Sequence, residues 1–104
     1  MEIRVYTTHD GKTPFIDWLQ RLRDQRARDR IHNQVDRLRL DNAGNYKSLG
    51  NGICELRIHY GPGYRIYYGK TDKHIVLLLC GGNKATQQQD IKRAKQYWQD
   101  YRRR

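Results

Sequence analysis

Residues 2–7 alternate, with Ile3 and Val5 on one side and Arg4 and Tyr6 on the other, the pattern of a short half-buried strand. A turn follows at Asp10-Gly11. Thr13 then offers an N-cap and Pro14 a first helical position, opening a helix whose Phe15, Trp18, Leu19 and Leu22 share one face. A second helical stripe runs through Ala27, Ile31, Val35 and Leu38 and ends before Asn42 and Gly44. No Gly or Pro marks a joint near Asp24. A helical hairpin is nevertheless expected, because one uncapped helix of that length would bury its stripe poorly.

The second half alternates with period two. In residues 53–60, Cys54, Leu56, Ile58 and Tyr60 oppose Glu55, Arg57 and His59. In residues 64–69, Ile66 and Tyr68 oppose Arg65 and Tyr67, and Gly61-Pro62-Gly63 joins the two runs with turn chemistry. For both apolar faces to coincide, the loop must hold an odd number of residues. A Tyr60–Tyr64 pairing meets that rule, setting Ile58 opposite Ile66, Leu56 opposite Tyr68, His59 opposite Arg65 and Arg57 opposite Tyr67. Residues 74–80 are almost continuously apolar, as a central strand covered on both faces would be. Gly81-Gly82-Asn83-Lys84 reads as a turn. Thr86 and Gln89 form a capping-box pair before a last helix with Ile91, Ala94, Trp98 and Tyr101 on one stripe. The expected order is β-α-α-β-β-β-α: an α+β domain over 1–104, with a small antiparallel sheet, helices packed on one face, and the charged face open.

Charge changes this picture most. Among 104 residues, 21 Lys+Arg against 11 Asp+Glu leave +10, which implies a polyanionic partner. RNA, DNA, an acidic protein and anionic lipid all qualify on charge. No apolar run approaches the ~20 residues of a membrane span and no apolar segment follows Met1, so neither a span nor a secretory leader is expected. Cys54 and Cys80 are too few for a disulfide framework and match no metal-binding spacing. They read as reduced core residues of a cytoplasmic protein with no metal and no cofactor.

The open face would gather Glu55, Arg57, His59, Arg65 and Tyr67, with Lys84 just beyond the last strand. Alternating charges also mark any half-exposed antiparallel strand, and Glu55 could simply pair with a cation across the sheet. The mixture of cations, imidazole and phenol, however, suits a phosphodiester. In RNA cleavage by the neighbouring 2′-OH, a base takes the 2′ proton, cations stabilise the added charge, and an acid protonates the departing 5′ oxygen. Arg57 and Arg65 offer forked donors to the phosphate and Lys84 a further charge. His59 is the natural proton carrier. Tyr64 or Tyr67 could stack on a base or donate a proton. Arg21, Arg23, Arg26, Arg28 and Arg30 read as a solvated helix face or as a track for phosphates.

The segments Cys54-Glu55-Leu56-Arg57-Ile58, Gly63-Tyr64-Arg65-Ile66-Tyr67-Tyr68 and Leu78-Leu79-Cys80-Gly81-Gly82-Asn83-Lys84, followed by Gln88-Gln89-Asp90-Ile91 and Ala94, resemble the RelE/ParE toxin superfamily. The likeness is greatest to its HigB-like, phage Gp49-like branch and covers nearly the whole chain. It implies the toxin of a type II toxin–antitoxin system, held by an antitoxin that is often a helix-turn-helix DNA-binder. It implies cleavage of ribosome-bound mRNA for RelE- and HigB-like members, and DNA gyrase inhibition for ParE-like ones. By the same resemblance, Arg65 stands at the strand arginine of such nucleases, Arg57 near one of two strand lysines, and Lys84 at the basic residue after the last strand. Glu55 departs from the other lysine, and Ile91 is the nearest position to a tyrosine of the final helix. Three functions stay open on sequence: mRNA endoribonuclease, gyrase inhibitor, and a basic nucleic-acid-binding module without catalysis.

Overall fold

The computed structural model describes residues 1–42 and 44–104. Strand β1 (Glu2–Val5) leads into helices α1 (Pro14–Arg21) and α2 (Gln25–Arg39). Strands β2 (Tyr46–Gly50), β3 (Ile53–Ile58), β4 (Tyr64–Lys70) and β5 (Ile75–Gly82) follow, then a 3₁₀ turn (Lys84–Thr86) and helix α3 (Gln87–Arg103). The five strands form one sheet in the order β1-β5-β4-β3-β2. The α+β architecture is the expected one, with refinements.

The helical hairpin breaks at Asp24, whose side chain accepts from the backbone N–H groups of Arg26 and Ala27 and so starts α2 without a Gly or Pro. Pro14 does open α1, but Thr13 makes no side-chain cap bond. The Met1 ammonium donates to the Arg39 carbonyl at 2.8 Å, a cation at the negative end of α2.

The sheet is mixed: β2 to β5 are antiparallel, whereas β1 pairs parallel to β5. Helices cover both faces, which corrects the expected one-sided packing. Phe15 and Leu19 of α1, with Ala27, Ile31 and Leu38 of α2, pack on Leu56, Ile58, Ile66, Tyr68, Val76 and Leu78. Ala94 and Trp98 of α3 pack on the other face, against Ile53, Tyr67, Leu77 and Leu79. The physical cause lies in β5, where Leu77 and Leu79 form a second apolar set that one layer of helices could not cover. Cys54 and Cys80 are free and buried, one in each core, and burial pushes the Cys80 thiol up to about 12.

A bulge interrupts β5: Tyr67 faces Cys80 and Tyr68 faces Leu78, leaving Leu79 unpaired. Gly81 and Gly82 continue the strand rather than forming a turn. Each leaves its face bare for a helix. A Cβ on Gly81 would stand 2.3 Å from the Trp18 ring of α1, and one on Gly82 would stand 1.7 Å from an Asp90 carboxylate oxygen of α3. The capping box also falls earlier than expected. Asn83 accepts from the backbone of Ala85 and Thr86, and the Thr86 hydroxyl receives the Asn83 N–H.

Strand β2 has no counterpart in the sequence pattern. It is an edge strand with most side chains exposed, so no alternation announces it. The β3–β4 register also differs from expectation by two residues: Ile58 faces Tyr64, Leu56 faces Ile66, and the loop runs over 59–63. Its length stays odd, so the apolar faces still coincide. Tyr60 is drawn out of the ladder because its hydroxyl donates to Asp24 at 3.0 Å while the Arg30 guanidinium lies over its ring. Gly61 and Gly63 take the positive φ angles that close the turn.

Candidate functional site

Alternation along β3 and β4 places Glu55, Arg57, Arg65 and Tyr67 on the α3 face, and the register sets Arg57 opposite Arg65 and Glu55 opposite Tyr67. Two cations opposed across strands repel. Glu55 offsets that repulsion from between them. Its carboxylate receives Arg57 Nε at 3.2 Å, lies 4.0 Å from Arg65 Nε, and accepts from Gln87 Nε2 of α3 at 3.0 Å. Burial alone would raise the Glu55 pKa. The hydrogen bonds from Gln87 and Arg57 and the Arg57 charge outweigh it and hold the carboxyl below its ordinary value. Glu55 is therefore an anionic strut in the core, not a residue on an open face.

Arg65 is itself nearly buried, and its Nη1 donates to the Gly63 carbonyl at 2.6 Å. Arg57 is the accessible member, with 42% of its side chain exposed. The 3₁₀ turn brings Lys84 to the same end of the sheet: its N–H donates to the Pro62 carbonyl at 3.4 Å. Gly63 is the joint. A Cβ there would lie 3.2 Å from Arg65 Nη1 and 3.6 Å from the Lys84 Cβ, so glycine lets the two basic residues close around the turn.

The other expected members are placed differently. Tyr67 is fully buried under α3; burial first, and the Glu55 charge second, drive its phenol far above the ordinary value. It packs beneath α3 as a neutral phenol, out of contact with solvent. Tyr64 points into the opposite core, edge-on to Trp18 with ring centroids 6.2 Å apart. Neither can stack on a base. His59 stands in the 59–63 loop instead of opposite Arg65, exposed beside Arg57. Ile91 packs partly buried against the α3 core.

Residues that the alternation could not announce complete the surroundings. Gln87 reaches Glu55 from 32 positions away. A groove of about 390 Å³ beside Arg57 and His59 is lined by Asn45, Tyr46 and Lys47 of the edge-strand region. Tyr46 is 57% exposed and is the accessible aromatic there. On the α2 side a cleft of about 370 Å³ is lined by Arg30, Asn33, Gln34, Arg37, Asn45, Arg57 and His59. The spacing of its four α2 residues, i, i+3, i+4 and i+7, is visible in the sequence as one helix stripe.

The chain belongs to a phage-associated family. The profile described as "Phage derived protein Gp49-like (DUF891)" matches residues 17–99, and that family is associated with addiction-module toxins. A relative from Haemophilus influenzae, bearing the name "Uncharacterized protein", is 44% identical over 95 residues, covering 91% of this chain and 92% of that protein. Among the described residues no helix is long and apolar enough to cross a membrane.

Proposed function

We propose that this chain is the toxin of a toxin–antitoxin pair and an endoribonuclease that cleaves mRNA on the ribosome. The observation that carries the reading is the Arg57–Glu55–Arg65 assembly: a buried carboxylate accepts from Arg57 and lies 4.0 Å from Arg65, whose guanidinium the Gly63 carbonyl holds, with Lys84 beside them. A buried ion pair adds little net stability over apolar packing, so its presence supports a role for the exposed guanidinium of Arg57 beyond holding the fold. The 2′-oxygen of the substrate attacks phosphorus, the bond from phosphorus to the 5′ oxygen breaks, and a 2′,3′-cyclic phosphate and a 5′-hydroxyl result. Arg57 meets the non-bridging oxygens directly, Arg65 and Lys84 supply charge from the turn side, His59 takes the 2′ proton, and water protonates the departing 5′ oxygen. The bases rest on Tyr46. Glu55, at the position where a lysine would be expected, positions the arginines in place of contacting RNA itself.

The test is a cell-free translation reaction with mapped transcript ends. Cyclic-phosphate ends are expected, and Arg57→Ala should lower the cleavage rate by roughly 10²–10³, the usual worth of one donor to developing charge. Intact transcripts at stoichiometric protein would refute the nuclease reading. Inhibited supercoiling by purified gyrase, with transcripts left whole, would establish the inhibitor reading in its place. Salt-sensitive RNA binding without products would leave a binding module. The antitoxin should appear as a more acidic protein that co-purifies on co-expression and silences whichever activity is found.

A further inference from the structure

The stripe of Arg30, Asn33, Gln34 and Arg37 on α2 faces the β3 end across the cleft of about 370 Å³, and the candidate site's own Arg57 and His59 form part of that cleft's wall. That volume falls in the range of small-molecule sites, roughly 300–1,000 Å³. Its chemistry is composite. Arg30 and Arg37 of α2 bring guanidiniums that suit a phosphate, while Arg57, its Nε held by Glu55, contributes to the wall. Asn33, Gln34 and Asn45 add carboxamides, which a bare phosphate does not need. One of these amides is conspicuous: Gln34 Oε1 is out of water and has no hydrogen-bond partner among the described residues. A buried acceptor without a donor costs free energy, and the cost is relieved when a ligand brings the donor. Every nucleobase edge carries an N–H donor next to an acceptor, the pair that a carboxamide meets with two bonds.

We propose that this cleft is a nucleotide subsite, in which Arg30 and Arg37 hold a phosphate and Gln34, aided by Asn33 and Asn45, binds the edge of the attached base. The inference rests on the nuclease reading for its purpose: it places one nucleotide next to the scissile phosphate and makes Gln34 the residue that sets base preference there. An acidic peptide would satisfy the arginines and its backbone N–H groups could donate to Gln34, but a trans peptide unit points its N–H and C=O in opposite directions and does not present the adjacent donor and acceptor of a base edge.

The test needs neither ribosome nor transcript. Uniformly ¹⁵N-labelled protein is titrated separately with AMP, CMP, GMP, UMP and inorganic phosphate, following the side-chain NH₂ signals of Asn33, Gln34 and Asn45. At least one nucleotide should move these signals at concentrations where phosphate alone does not. Gln34→Leu should weaken that nucleotide about tenfold and level the differences between bases, whereas Arg30→Gln with Arg37→Gln should weaken all four alike. Dispersed spectra of each variant establish that the fold persists, and Gln34→Glu, which keeps the size but carries charge, should weaken binding more than Gln34→Leu. Equal shifts with phosphate alone, shifts confined to other surfaces, or a response only to an acidic peptide would overturn the subsite. Nucleotide binding without transcript cleavage would sink the nuclease reading alone; cleavage with unmoved amide signals would sink the subsite alone.

Discussion

Glu55 is where the chemistry of single residues decides most. Its sequence neighbourhood, Cys-Glu-Leu-Arg, reads as an ordinary strand with charges on the wet side, and for Arg57 that is right. What alternation cannot reveal is a lid: Gln87 arrives with α3, and the carboxylate becomes fully buried beneath it. Burial turns an exposed ion pair, worth little, into one whose breakage strands a charge. Glu55→Ala should therefore destabilise the fold by about 3 kcal/mol, measured by urea denaturation, because Arg65 is left nearly buried without its counter-ion. The pH dependence has a definite sign. The folded carboxyl titrates below its ordinary value of 4.5, so its stabilisation is present in full above that pH and is lost as pH falls through the lower folded value. Glu55→Gln should flatten this acid limb, and equal acid limbs in the two proteins would show that Glu55 is not held as a buried anion. Tyr64 and Tyr67 teach the complementary lesson. A tyrosine near a basic strand looks like a base platform, yet both are packing groups, while Tyr46, in a segment without periodicity, has the exposed ring.

At the scale of elements, helices were legible and the edge of the sheet was not. Stripes of period 3.6 located α1, α2 and α3 because each buries one face. Strand β2 buries almost nothing and left no trace, and the β3–β4 register slipped because Tyr60 serves α2 rather than the ladder. The seat of α3 was hidden for a different reason: it depends on an absence of side chain. Trp98 lies against Gly69, and its Nε1 donates to the Asn51 carbonyl at 2.6 Å. A Cβ on Gly69 would come within 2.3 Å of two Trp98 ring carbons. Gly69→Ala should thus cost roughly 1–3 kcal/mol through overpacking. The double-mutant cycle makes the claim specific: with Trp98→Ala already in place, adding Gly69→Ala should cost far less. An undiminished cost in that background would locate the strain in the β4 backbone and not at the α3 seat.

Over the whole molecule, the +10 charge is divided between faces that the sequence could only sum. One face carries Arg30, Arg37, Lys47 and Arg57 around two connected hollows. Another carries Lys92, Lys95, Arg102 and Arg103 along α3, around a separate hollow of about 620 Å³ that the buried Trp98 helps to line. Both attract a polyanion, and only the first adjoins the Arg57–Glu55–Arg65 assembly. Counter-ion release distinguishes them, because each phosphate neutralised on a single strand contributes about −0.7 to the slope of log K against log salt. A 2′-O-methyl oligonucleotide, which lacks the attacking hydroxyl, allows binding to be measured without cleavage. Engagement of the four cations of the first face gives a slope of about −3. Replacing Arg30 and Arg37 with glutamine should reduce that slope in magnitude by about 1.4, two phosphate contacts' worth. Replacing Lys92 and Lys95 should change it less. The reverse ranking would place the RNA track along α3, detaching binding from the guanidinium pair, and a flat salt response in every variant would remove RNA phosphates as the partner that the charge serves.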